Sequence, residues 1–229
     1  MKDQKKESTK SITFKATKKG RRVSPLLSFV RCVALPVYYL LKPFRLFGAS
    51  KVQDGPCLYI SNHYTLFDPA YVIATTKEGV HFIAKKETFE APVLGWFMRQ
   101  VKAIKVSRDG KDVRGLLDSL KCLKSGDKVA IYPEGTRNKS EEGLLPFHHG
   151  AALLAVRAKV PIVPLVMYKK PRLFRCAHIL VGEPFELSEY YDVKLTDEDY
   201  QKIDQQLYDQ MLSMKKEHAN YLQTKKQGK

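Results

Sequence analysis

Along residues 57–181, short apolar runs alternate with segments whose apolar positions recur every three or four residues. The runs at 57–61, 80–84, 103–106, 128–132, 162–167 and 177–181 are too short for helices, and several are dense in Val, Ile, Tyr or Phe. They therefore read as strands. Between two of them, Val113, Leu116, Leu117, Leu120 and Leu123 fall at helical spacing within 112–124, stopped by Ser125-Gly126. Further helices are expected from Asp68-Pro69 to Thr75 and over 149–158, with His148-His149 as a polar helix start. This alternation predicts an α/β fold, a mostly parallel sheet flanked by helices, with ligands outside the carboxyl ends of the strands. Residues 87–101 are mixed, interrupted by Pro92 and Gly95. Their concentration of Phe89, Val93, Leu94, Trp96, Phe97 and Met98 reads as core packing in preference to direct contact with an apolar ligand.

Both ends depart from this pattern. Thr196-Asp197-Glu198-Asp199 has the form of a helix cap, followed by Tyr200, Ile203, Leu207, Met211 and Met214 as an apolar stripe. Beyond Lys215 the chain turns polar and basic, and loose order is expected there. Residues 24–49 are rich in Leu, Val, Phe and Tyr but broken by Arg31, Lys42, Arg45, Pro36 and Pro43. Their longest uncharged run, 32–41, is about half of what a spanning helix needs, so one or two short helices lying in a membrane interface are expected.

Charge sharpens that expectation. The 229 residues carry 40 Lys and Arg against 24 acids, a net +16. Nine of those cations against two acids stand in the first 22 positions, a composition suited to an anionic partner. The apolar segment beside it favours anionic membrane lipids, and no basic-aromatic strand motif points to nucleic acid. The expected organisation is a basic tail over 1–22, an interfacial helical segment over 23–50, an α/β domain over 51–190, and a C-terminal amphipathic helix with a basic tail over 191–229. The basic stretch is too long, and its apolar core too interrupted, for a cleaved signal peptide. Cys32, Cys57, Cys122 and Cys176 show no pair spacing, so no metal site and no disulfide framework are expected, and a reducing, cytoplasmic location fits.

The chemistry gathers in two loops. Asn62-His63-Tyr64-Thr65-Leu66-Phe67-Asp68-Pro69 follows one predicted strand, and Tyr132-Pro133-Glu134-Gly135-Thr136-Arg137 follows another. A histidine can take a proton from a hydroxyl near neutral pH, and a carboxylate at Asp68 would fix its tautomer. The spacing alone is weak evidence, since chance supplies about 0.3 such His-x4-Asp pairs in a chain of this composition. Asp68-Pro69 reads equally as an N-cap followed by a first-turn proline. Arg137 and Arg108 carry planar forks suited to phosphate, with Lys85 or Lys86 as a point charge. Gly135 permits close backbone approach, and Glu134 either contacts an acceptor or pairs with a cation. No Gly-x-Ser-x-Gly elbow appears, and no cysteine lies near either loop, which disfavours a covalent enzyme intermediate.

In order along the chain, Asn62-His63-x4-Asp68, Ala84-Lys85-Lys86-Glu87, Gly95-Trp96, Val106-Ser107-Arg108, Tyr132-Pro133-Glu134-Gly135-Thr136-Arg137 and Val160-Pro161-Ile162-Val163-Pro164 resemble the 1-acylglycerol-3-phosphate O-acyltransferase family of glycerolipid synthesis. The resemblance covers residues 52–185. It implies acyl transfer from a thioester, acyl-CoA or acyl-ACP, to the free hydroxyl of lysophosphatidate, with no cofactor. It makes His63 and Asp68 the catalytic pair and Lys85, Arg108, Glu134, Gly135, Thr136 and Arg137 the substrate-binding set. The basic and apolar N-terminal segments, with the unpaired cysteine spacing, give the expected location as the cytoplasmic face of a membrane, peripheral or monotopic. Ser107 stands where the family usually has an aspartate. The rival readings are the same chemistry on another lysolipid or a hydroxylated lipid, and a non-catalytic protein that binds anionic lipid.

Overall fold

The run at the centre of the sheet, β2 (Leu58–Ser61), is buried at every position. A strand covered on both faces has to be apolar throughout, which is why its sequence shows no alternation. The computed structural model describes residues 28–48, 54–76, 79–107, 113–140, 143–148 and 150–227. The basic tail predicted over 1–22 lies outside them.

Chain order from the N-terminal side is a π-helical turn (Val30–Ala34), α1 (Leu35–Leu41), β1 (Phe44–Gly48), β2, α2 (Pro69–Ala74), β3 (Val80–Lys85), a 3-10 turn (Lys86–Phe89) and α3 (Pro92–Gln100). It continues with β4 (Ile104–Val106), α4 (Val113–Lys124), β5 (Lys128–Ile131), α5 (Ala151–Ala158), β6 (Ile162–Met167), β7 (Ala177–Val181) and α6 (Asp197–Gln227). The seven strands form one sheet in the order β1-β7-β6-β2-β5-β3-β4. Strands β6, β2, β5, β3 and β4 are mutually parallel, so their carboxyl ends share one edge. β7 runs antiparallel to β6, and β1 parallel to β7.

The two faces of the sheet bury different cores. Leu58, Ile60, Val129, Val166 and Leu180 pack against α4, α5 and α6 on one side. Tyr59, Ala130, Val163, Leu165 and Ile179 pack against Tyr71 and Val72 of α2 on the other, with Tyr38 and Phe44 at the margin. α6 is held by Ile203, Leu207 and Met211, all fully buried, each contributing about 1.5–3 kcal/mol. Its start is closed reciprocally. The Asp199 amide donates to Thr196 Oγ1 at 3.3 Å, and the Thr196 amide donates to Asp199 Oδ2 at 3.0 Å.

Three expectations are corrected. Residues 44–48 are a strand on the sheet edge, not part of an interfacial helix; β1 pairs with β7 alone, a partner more than a hundred residues away. α6 does not loosen after Lys215 but runs to Gln227. There His218 and Tyr221 continue the stripe, the buried His218 ring lying 4.6 Å from Phe47 and its Nε2 2.8 Å from His178 Nδ1. Finally, the apolar concentration at 89–98 is no core. Gly95 is the one buried residue of α3, while Val93 and Trp96 are exposed.

Candidate active site

β2 ends in the middle of the parallel sheet, and its continuation is fixed before any chemistry begins. Asn62, fully buried, donates through Nδ2 to the Met167 carbonyl at 3.0 Å and accepts from the Met167 amide at 2.8 Å. This paired latch ties the end of β2 to the end of β6 and sets where His63 leaves the sheet. From the other flank, the Asn138 amide donates to the His63 carbonyl at 2.6 Å.

The loop then turns back on itself around Asp68. Oδ2 of Asp68 accepts from the amides of Tyr64 and Thr65 at 2.6 and 2.7 Å and from His63 Nδ1 at 2.8 Å. Oδ1 accepts the Thr65 hydroxyl at 2.6 Å. Asp68 does stand at the N-cap position of α2, with Pro69 behind it, but its side chain caps no helical amide. The carboxylate faces the loop. The two readings of Asp68-Pro69 therefore merge, with the backbone starting the helix and the side chain serving the histidine.

With Asp68 accepting at Nδ1, the neutral imidazole carries its proton there and Nε2 is the acceptor. The His63 side chain is 20% exposed and that of Asp68 fully covered. One face of the imidazole stacks on the Tyr132 ring at 4.2 Å with 20° between planes, which fixes the ring without using a nitrogen. The Tyr132 hydroxyl is buried without a partner, and its pKa is driven well above the usual value by burial, then by Asp68. It stays a neutral phenol.

The second loop folds tightly. Gly135 has φ +60°, and a Cβ there would lie 2.7 Å from His148 Cδ2, so the close approach requires glycine. Its amide donates to the Tyr132 carbonyl at 2.9 Å, and the His148 amide to the Pro133 carbonyl at 2.8 Å. Glu134 is buried inside this turn, and among the described residues neither carboxylate oxygen has a hydrogen-bond partner. Burial pushes its pKa up to about 7; the nearby amides of Leu145 and His63 and the ammonium of Lys215 pull against the rise without bonding to it. Lys215 reaches in from α6 and donates to the Tyr64 hydroxyl at 3.2 Å and the Gly143 carbonyl at 3.0 Å. Burial holds its pKa below the usual lysine value.

His63, Asp68, Glu134 and Gly135 are thus in one place, and Thr136 and Arg137 lie exposed on the same loop. Lys85, half-buried, ends β3 on the same edge, two strands or about 10 Å from β2. Arg108 lies outside the described residues. Sequence reasoning missed Tyr132 as the stacking partner, Asn62 as the latch, and Lys215, which no local motif marks. Tyr132 and Asn62 stood beside the quoted motifs. Lys215 carried no signal, being one of 40 cations.

A central strand delivers a histidine oriented by a carboxylate beside a tight glycine loop ending in arginine, an arrangement with the chemistry to move a proton next to an anion. The chain belongs to the acyltransferase family, whose model matches residues 44–168, more than half its length. It is 30% identical over 145 residues to a 1-acyl-sn-glycerol-3-phosphate acyltransferase of Helicobacter pylori, covering 62% of this chain and 60% of that one. The human 1-acyl-sn-glycerol-3-phosphate acyltransferase beta is 40% identical over 142 residues, with 60% and 50% covered. The chloroplastic enzyme BAT2 of Brassica napus is 37% identical over 119 residues, with 50% and 33% covered. The chain thus spans between a third and three fifths of these relatives. The fold is shared with the 1-acyl-sn-glycerophosphate acyltransferase PlsC of Thermotoga maritima, at a TM-score of 0.62 and 20% identity, over 83% of this chain and 80% of that one.

Proposed function

We propose that this protein transfers a fatty acyl group from an acyl thioester, acyl-CoA or acyl-ACP, to the free sn-2 hydroxyl of 1-acyl-glycerol-3-phosphate, giving phosphatidate. The observation that carries the reading is the His63–Asp68 bond at 2.8 Å, which leaves Nε2 as the base. In the proposed step Nε2 takes the acceptor hydroxyl's proton as that oxygen attacks the thioester carbonyl. Asp68 stabilises the imidazolium, the C–S bond of the tetrahedral intermediate breaks, and the proton passes from Nε2 to the departing thiolate. Each turnover forms one ester bond and one thiol.

Arg137, with Arg108 and Lys85, holds the acceptor's phosphate. Arginine suits this role because its fork gives two parallel charge-assisted bonds to phosphate oxygens. Gly135 and Thr136 shape the turn that presents Arg137. Glu134, buried without a hydrogen-bond partner among the described residues, has an unmet capacity for a donor other than the one free glycerol hydroxyl, whose proton goes to His63. The reaction needs no metal and no cofactor beyond the thioester co-substrate. The protein works at the cytoplasmic face of a membrane, peripheral or monotopic. Among the described residues no helix is long and apolar enough to cross a membrane.

The test is acyl transfer by the purified protein in detergent, with lysophosphatidate and each donor in turn. Phosphatidate formed by the wild type and lost in His63→Ala supports the reading. No product with either donor, from folded protein, overturns it in favour of another acceptor or of a non-catalytic lipid-binding protein.

A further inference from the structure

The chain between β6 and β7, residues 168–176, leaves the sheet at the edge from which His63 leaves β2, since Met167 is latched to Asn62. It carries Lys169, Lys170, Arg172 and Arg175 and no carboxylate. Between the two arginines, Leu173 and Phe174 are 58% and 74% exposed. Phe174 also has φ +55°, a conformation that bulky side chains avoid, so the backbone is held there against its preference. What holds it is the amide of Phe174 donating to the Leu41 carbonyl, the last residue of α1, at 2.7 Å.

That bond joins the loop to a second exposed apolar face. Phe29, Val33, Val37 and Leu40 recur at helical spacing and are about half exposed or more. Tyr38 carries the surface onward, its ring 6.1 Å from that of Phe67. Leu66 and Phe67, 44% and 58% exposed, lie within the His63–Asp68 loop itself. Lys42 Nζ sits 5.9 Å from the Tyr38 and Phe67 ring centres. The Phe174 amide bond to Leu41 and the Tyr38–Phe67 contact thus link three segments distant in sequence that each expose apolar side chains, with Lys42 over the second junction. Beside the loop is a hollow of about 330 Å³ lined by its four cations together with His178 and Leu222.

We propose that residues 169–176, together with Leu66 and Phe67, form a docking surface for an anionic lipid bilayer, separate in sequence from the N-terminal segment. Leu173 and Phe174 enter the acyl boundary, while Lys169, Lys170, Arg172 and Arg175 meet headgroup phosphates, one of which occupies the hollow. Apolar side chains flanked by cations, with no acid among them, match a bilayer's layered chemistry, where acyl chains lie beneath a sheet of phosphates. A protein partner would leave that run of cations uncompensated unless it were itself strongly acidic. The consequence for the reaction is direct. Docking through Leu66 and Phe67 sets the His63 loop against the surface where a lysolipid acceptor resides. The inference rests on the reading of the protein as a lipid acyltransferase for its purpose, but not for its test.

The test uses the full chain and vesicles of phosphatidylcholine, alone or mixed with phosphatidylglycerol. Arg172→Gln with Arg175→Gln is expected to weaken binding to the anionic vesicles by roughly tenfold or more and to leave phosphatidylcholine alone little changed. Because the basic N-terminal residues add their own attraction, a local readout accompanies this. Trp96 is the chain's single tryptophan, so Phe174→Trp in a Trp96→Phe background reports on position 174 alone. Its emission is expected to shift to the blue on anionic vesicles and to be quenched by lipids brominated in the acyl chain. Protein that binds vesicles while that tryptophan stays unquenched would overturn the proposal. So would self-association that Phe174→Glu abolishes, which would assign the face to a second copy. Neither readout needs acyl transfer, so an inactive protein leaves the proposal standing, and an active one does not rescue it.

Discussion

Two buried carboxylates stand within one site and live in opposite circumstances. Asp68 accepts four hydrogen bonds, from His63, two backbone amides and a hydroxyl. Glu134, equally covered, accepts none and has its pKa raised to about 7. The two acids are close enough that, beside burial, the charge of Asp68 raises the proton affinity of Glu134, so proximity to the site does not separate them. What separates them is backbone direction. The turn over 63–68 aims its amides at Asp68, whereas after β5 the Gly135 amide goes to the Tyr132 carbonyl and the Asn138 amide to the His63 carbonyl. A fully satisfied acid is a fixed part; an unsatisfied one is adjustable, ready to gain from a proton or a ligand.

The strongest way to break this comparison is to disable the fixed half. Asp68→Asn, which puts an amide group among donors that need an acceptor, is expected to lower kcat by roughly 10²–10⁴. The same change destabilises the fold by about 1–3 kcal/mol. His63→Ala is expected to lower kcat at least as far and to destabilise by about 1–3 kcal/mol, because it removes a ring stacked on Tyr132 and a donor to the buried Asp68. Steady-state kinetics alongside thermal unfolding checks both. Equal rates in Asp68→Asn and wild type would remove Asp68 from the mechanism.

Next comes the anion. Arg137→Ala is expected to raise KM for lysophosphatidate by roughly 10–100-fold with kcat less affected, the worth of a charge-assisted pair. A fall in kcat with unchanged KM would place Arg137 elsewhere in the cycle.

Glu134 offers a test through pH. Its folded-state pKa lies above its ordinary value, so the folded protein binds that proton more tightly than the unfolded chain does. Its contribution to stability is therefore greatest below about pH 4.5 and declines as pH rises through about 7. Denaturant titrations of Glu134→Gln should lack that decline. Relative to wild type the variant gains on the order of 2–3 kcal/mol between about pH 4 and pH 8. Parallel curves for the two proteins would mean that Glu134 titrates alike in the folded and unfolded states, so that burial does not raise its pKa.

The smallest effects concern the partners. Lys215→Met removes two hydrogen bonds and the cation that restrains Glu134, and is expected to destabilise by about 1–2 kcal/mol at pH 8, less at pH 5. Gly135→Ala, strained at φ +60° and pressed on the exposed His148 ring, is expected to cost about 1 kcal/mol and to weaken acceptor binding. Chemical denaturation at the two pH values measures the first, and KM the second.

How much of this could be read beforehand follows from range. β6 and β7 were legible to the residue, because an apolar run between turn residues is a local signal. The His63–Asp68 pair was legible because five residues of tight loop bring the two groups together with little help from elsewhere. β1 was misread as helix because a five-residue edge strand with exposed positions looks, in isolation, like any amphipathic segment. The end of α6 was misread because His218 and Tyr221 count as polar until Phe47, Tyr168 and His178 surround them. Trp96 and its neighbours were placed inside because apolar composition cannot say which side of a helix has a partner.

By itself, then, the sequence determined the α/β alternation, the pairing of His63 with Asp68 and the arginine-bearing loop, since each depends on residues within a few positions of one another. Tertiary structure alone decided that Tyr132 stacks on His63, that Asn62 ties β2 to β6, that Lys215 reaches Tyr64 across 151 positions, and that Glu134 goes without a partner. The reason is that hydrogen-bond satisfaction and ring packing are properties of a neighbourhood. The neighbourhood of a buried group is assembled from strands and helices whose contact no local pattern encodes.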